Sequence, residues 1–146
     1  MNVEMLRVRV KGVAMPSEED PPIVILEEDG GTGEFTIAVG AAEAGAILME
    51  LEGISTPRPL THELIAQVFK EQGITIRRVE LYGLYGPDED GYLARMEYSR
   101  GLRTWTRDIR PSDALALAVA AGAPVFAHQS LLNRPDEVWY TEARRA

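Results

Sequence analysis

The chain has 146 residues, no cysteine and a formal net charge of −8, and 45% of its residues are apolar. That length suits one domain, and the apolar share suits a packed core rather than a disordered chain. Missing thiols exclude disulfides, thiolate zinc sites and cysteine nucleophiles, while the acidic balance argues against strong unaided binding to duplex phosphate.

The N-terminal MNVEMLRVRVKG has acid and base early and no apolar run, so no signal peptide is read there and the cytoplasm is the expected location. Over residues 3–13, Leu6, Val8 and Val10 alternate with Arg7, Arg9 and Lys11, the pattern of a half-buried strand. An acidic, proline-bearing loop fills residues 16–22. Residues 23–26 predict a short strand and Asp29-Gly30-Gly31-Thr32-Gly33 a turn. Phe35, Ile37 and Val39 alternate in the returning strand, so residues 23–39 read as a hairpin.

The period then changes. Ala44, Ile47, Leu48 and Leu51 recur at helical spacing, and Gly53 closes that helix. After the stiff link Ser55-Thr56-Pro57-Arg58-Pro59, Thr61 is the expected N-cap of a second helix. Its buried stripe is Leu64, Ile65, Val68 and Phe69, and Gly73 stops it. Three strands are expected near 74–83, 91–99 and 102–109, with a bulge where alternation slips at Arg77-Arg78.

Pro111 opens a third helix that Gly122 ends. It is apolar on every side over residues 114–120, so it is either central or covered by a partner subunit. The longest apolar stretch, residues 114–127, is broken by Gly122 and Pro124 and is too short to span a bilayer, so no membrane association is expected. Residues 124–127 form a last short strand, and the tail from Gln129 is expected to be peripheral. Hairpin-linked strands between helices predict an α+β fold: a mixed, largely antiparallel sheet with about three main helices packed on it. No boundary divides the chain, so residues 1–146 are read as one domain with its core in residues 3–132.

Charge is unevenly spread. Residues 18–34 hold seven acids and no base, whereas residues 77–110 hold seven arginines against six acids. Any polyanion contact is expected in the second segment, where arginine supplies the better fork for phosphate.

Gly30, Gly31 and Gly33 follow neither a dinucleotide nor a P-loop spacing, and neither a metalloprotease helix nor a nucleophile elbow is present. With only His62 and His128, a histidine-rich metal site is excluded. His62, beside Glu63, reads either as a general base or metal ligand, or as a first-turn residue bonded locally. His128 follows a buried strand without an acidic neighbour and is the weaker candidate. In Arg110-Pro111-Ser112-Asp113, Asp113 is placed to complement the helix dipole and to cap free amides. The other reading makes Asp108, Asp113 and Glu43 hard oxygen ligands of a divalent cation, magnesium or manganese, with Arg110 clamping a phosphate. Arg103, Trp105 and Arg107 share one strand face, and Arg95 is expected on that face next door. The strip either stacks a base of a single strand or forms a cation–π cluster at a subunit contact.

Three blocks carry a resemblance. The first is Phe35-Thr36-Ile37-Ala38-Val39-Gly40, followed by Glu43-Ala44 and Leu51-Glu52-Gly53. The second is Pro57-Arg58-Pro59-Leu60-Thr61-His62-Glu63-Leu64. The third runs from Asp108-Ile109-Arg110-Pro111-Ser112-Asp113 through Ala118 and continues with Gly122-Ala123-Pro124-Val125-Phe126. In this order and spacing they resemble the bifunctional nuclease domain family over residues 3–132. This sequence departs from the family pattern at Thr36 and Ala38, and it has Glu63 where the family often has Asp.

The resemblance implies an oligomeric α+β domain with activity on DNA and RNA assisted by a divalent cation. Its patterned polar positions fall here on Glu43, Arg58, Thr61, His62, Glu63, Asp108, Arg110, Ser112 and Asp113. His62, Glu63 and Asp113 are then the catalytic candidates, and Arg58 and Arg110, with the Arg103, Trp105 and Arg107 strip, the substrate-binding ones. Glu43, Asp108 and Asp113 are the metal candidates. The rival reading is a non-catalytic oligomeric regulatory or binding module. Nucleic acid is expected to bind weakly, given the net charge. The all-apolar third helix and the Trp105 strip predict a homo-oligomer, most simply a dimer.

Overall fold

A computed structural model describes residues 4–84 and 91–132. The expected strand start at Val3 and the tail beyond residue 132 lie outside them. Strands β1 (Met5–Ala14), β2 (Ile23–Glu28) and β3 (Glu34–Ala38) come first, followed by helices α1 (Ala41–Leu51) and α2 (Thr61–Glu71). Then come β4 (Thr75–Leu84), β5 (Tyr92–Arg100), β6 (Arg103–Ile109), α3 (Pro111–Ala121), β7 (Val125–His128) and the single turn α4 (Gln129–Leu132).

All the strands form one sheet in the order β3-β2-β1-β7-β4-β5-β6. Every neighbouring pair is antiparallel except β4 with β7. Two meanders, one from each half of the chain, are thus joined through β7, which pairs with β1 on one side and β4 on the other. Its short apolar sequence suits that central place, since a strand paired on both edges with one face in the core needs no length to be held. The fold is α+β with a mixed, largely antiparallel sheet, as the alternation and hairpins predict. The slip at Arg77 is a register shift between β4 and β5, and β1 carries another near Gly12.

Alternation in the strands puts Val8, Leu26, Val79, Leu81, Val125 and Ala127 on one buried face. Against it lies α3, buried from Ala114 to Ala118. Helices α1 and α2 both pack on α3. The all-apolar helix is therefore sandwiched within one chain, between the sheet and the other two helices, and is no reason by itself to expect a partner. Gly122, at φ 68°, takes the left-handed conformation that ends α3 and turns the chain toward β7. Phe35 and Tyr92, from opposite halves of the sheet, have ring centroids 5.8 Å apart, so the sheet curls around α3.

Several expectations are corrected here. Leu60, not Thr61, is the N-cap of α2, with no side-chain cap bond. The supposed buried stripe of α2 is split, with Leu64 and Val68 exposed while Ile65 and Phe69 rest on the core. The start of the tail is not peripheral, because Leu131 and Leu132 of α4 are buried in the core. Arg95 is in register with Asp108, an odd number of residues from Trp105, and so lies on the opposite sheet face. There its guanidinium is 4.4 Å from the centroid of Tyr82 and is ion-paired with Glu80, which also binds Arg78. Among the described residues no helix is long and apolar enough to cross a membrane.

Candidate functional site

Arg110 has extended backbone torsions and hands the chain to Pro111, whose missing N–H costs nothing in a first helical turn. This places Asp113 in the first turn of α3, where the helix dipole favours its charge. Its carboxylate turns to side chains rather than to free amides. Arg110 donates to it from Nε at 2.8 Å and from Nη2 at 3.3 Å. His62, in the first turn of α2, brings Nε2 to 3.0 Å from Asp113 Oδ1 across 51 residues of sequence. The His62 side chain is only 13% exposed, and that of Arg110 is 74% exposed.

Burial alone raises the Asp113 pKa, but the hydrogen bonds and charges of Arg110 and His62 outweigh it and hold the carboxyl below its ordinary range. An ionised carboxylate can only accept, so Nε2 of His62 carries the hydrogen. In the neutral imidazole this leaves Nδ1 as the basic nitrogen. Arg110 is raised chiefly by its hydrogen bond to Asp113 and then by that residue's charge, with a smaller contribution from Glu43 in the first turn of α1. The starts of α2 and α3 therefore meet at one arginine–aspartate–histidine cluster.

Beside this cluster a cleft is lined by Glu50, Ile54, Leu60, His62, Glu63 and Ala116. Its cavity of about 20 Å³ has room for a water rather than an organic molecule. Burial pushes the Glu50 carboxyl up, and the charge of Glu63 and a hydrogen bond to it add to the effect. Sequence reasoning missed Glu50. Its signal was the seven-residue spacing from Glu43, which puts both carboxylates along one side of a helix.

The other candidates lie elsewhere. Arg58 is exposed in the link before α2, where its carbonyl accepts a hydrogen bond from the Thr56 hydroxyl. Asp108 accepts from the Tyr82 hydroxyl at 3.1 Å on the outer sheet face, away from Asp113. The expected grouping of Glu43, Asp108 and Asp113 is therefore not formed. No three His, Asp or Glu side chains among the described residues are grouped to hold a metal ion. Arg103, Trp105 and Arg107 do share a face of β6. Trp105 stacks on Tyr98 with ring centroids 5.4 Å apart, and Arg103 lies 5.3 Å from the Trp105 centroid. His128 is bound locally, its Nδ1 accepting from the Ser130 amide at 3.1 Å.

The family model described as bifunctional nuclease domain matches residues 24–138. An uncharacterised protein of Mycobacterium tuberculosis, found in strains CDC 1551 and H37Rv, is 31% identical over 138 residues, which cover 91% of this chain and 80% of that protein. Bifunctional nuclease 2 of Oryza sativa subsp. japonica is 22% identical over 134 residues, covering 89% of this chain but 40% of the rice protein. With a family match across most of its length and a relative 31% identical over 91% of it, the chain belongs to the bifunctional nuclease domain family.

Proposed function

We propose that this protein is a phosphodiesterase acting on DNA and RNA, with His62 as general base. The observation that carries the reading is the hydrogen bond from His62 Nε2 to Asp113, made between two helix starts. An ionised aspartate fixes the ring and stabilises the imidazolium that forms when Nδ1 takes a proton from the attacking oxygen. That oxygen bonds to phosphorus as the ester oxygen leaves. Glu50, which burial and Glu63 keep protonated to higher pH than an ordinary carboxyl, returns a proton to the leaving oxygen. Arg110 keeps Nη1 clear of its bonds to Asp113, and Arg58 is exposed nearby in sequence, so both suit a phosphate arriving at the cleft mouth. Family membership and the name of the rice relative support a nuclease over other phosphodiesterases.

The metal ligands expected from the sequence do not fit, because Asp108 is on the other side of the sheet. The assay reads cation dependence directly. Labelled single-stranded DNA and RNA are incubated with purified protein under magnesium, manganese or chelator. Cleavage is expected to fall about 10²- to 10⁴-fold in His62→Ala, the usual span for loss of a general base. Equal cleavage by wild type and His62→Ala would discard the assignment. Wild-type protein that binds but never cleaves favours a regulatory or binding module. The net charge of −8 and an Arg110 already engaged by Asp113 are the features that speak for that second reading.

A further inference from the structure

We propose that two copies of this chain pair antiparallel along β6, with Thr106 on the two-fold axis. β6 ends the sheet, and among the described residues nothing pairs with its outer edge. Edge strands that must stay single are blunted by proline, bulges, short length or charged side chains. β6 lacks the first three, since its seven residues contain no proline and their register with β5 is unbroken, and its charges, Arg103, Arg107 and Asp108, are ones a second copy can meet in the right register. The opposite edge, β3, is instead contacted by α3 and α4.

The hairpin geometry decides which groups point outward. Arg100 pairs with Arg103 across the two residues Gly101 and Leu102, and Gly101 at φ 59° supplies the positive torsion of a tight turn. The closing pair of such a hairpin exchanges both backbone bonds, so alternation directs the N–H and C=O of Thr104, Thr106 and Asp108 away from β5. These are the groups a second strand would engage.

Side chains then select the register. With Thr106 on the axis, Trp105 faces the partner's Arg107, Thr104 faces the partner's Asp108, and Arg103 faces the partner's Ile109. Trp105 and the partner's Arg107 form a pair without backbone bonds, where side chains approach most closely, and a guanidinium over an indole is attractive. Thr104 is opposite a carboxylate able to accept from its hydroxyl. Slipping by one pair in one direction sets Arg103 against the partner's Arg107. Slipping in the other sets the two Arg107 side chains against each other. Like charges directly opposed are destabilising, so one register stands out. Arg107 is exposed and makes no ion pair among the described residues, so its charge is available for this contact.

The pairing also accounts for Leu102, fully exposed at the hairpin tip. In this register the partner's Leu102 falls opposite Arg110, and the partner's Arg103 opposite Ile109. Each hairpin tip is thereby carried to the start of the other copy's α3, next to the His62–Asp113 cluster. The interface stands whether or not that cluster is catalytic.

Sedimentation of wild-type protein at tens of micromolar should return twice the 16.1 kDa of one chain, and a monomer there overturns the proposal. Thr106→Pro removes an outward amide without touching the bonds to β5. It should weaken association at least a hundredfold with an unchanged far-ultraviolet spectrum, whereas a dimer of wild-type affinity refutes the interface. Because the chain has no cysteine, the axis can be read without relying on that variant. Mild oxidation should link Thr106→Cys into a covalent dimer faster than Trp105→Cys or Arg107→Cys. Faster linking at either neighbour means the register is wrong.

Discussion

Asp113 and Glu50 should leave opposite marks on stability as pH falls. The Asp113 pKa is depressed in the fold, so its contribution is complete above the unfolded value near pH 4 and is lost as pH drops through the folded value. The Glu50 pKa is raised, so its ionisation opposes folding above the folded value, and that opposition fades as pH falls toward the unfolded value of about 4.3. Denaturation followed from pH 7 to pH 3 should therefore show a slight gain before an acid loss. Asp113→Asn should cost about 1–2 kcal/mol at pH 7 through weakened charged hydrogen bonds and flatten the acid loss. Glu50→Gln should be neutral or stabilising at pH 7 and abolish the gain; a destabilised Glu50→Gln would mean that the repulsion is misread. At this scale the sequence showed the candidates but not their partners. His62 and Asp113 each stood out locally, yet only the packing of α2 on α3 brings them together, and no local pattern encodes that crossing.

Among the elements, the strands were legible because alternation is a property of each strand alone. Their order was not, since β7 is inserted between strands distant in sequence and pairing is a tertiary choice. The exposed Leu64 and Val68 show the same limit in a helix, where periodicity finds an apolar stripe but not how much of it the neighbours cover. The outer sheet face offers a test of β4. Glu80 holds Arg78 and Arg95 together, its side chain 14% exposed, while Arg78 also lies 3.8 Å from the Phe126 centroid. Glu80→Gln should cost about 1–3 kcal/mol in urea unfolding, because both arginines lose the carboxylate charge and one of them its acceptor oxygen; no measurable change would show that solvent already screens the group. Gly122→Ala should cost about 1 kcal/mol or more, since a Cβ is strained at its φ of 68°. A midpoint equal to that of wild type would mean that the turn relaxes.

For the molecule as a whole, the charge of −8 limits how nucleic acid is held. Single-strand affinity is expected to be weak and to fall with salt at a logarithmic slope of roughly −0.7 per phosphate contact. Fluorescence anisotropy across a salt series checks this, and salt-insensitive binding would exclude phosphate contact. The central place of β7 has a further consequence, for the order in which the molecule is made. β1 ends at Ala14, but the strand that pairs with its free edge begins only at Val125. The first meander must therefore wait with an open edge until three helices and the second meander have been translated, and the second meander, once β4 is made, waits in the same way. Closing such distant contacts is slow and leaves edges open to other chains meanwhile. The last of the described strands to be translated is the one that makes two ribbons into a single sheet.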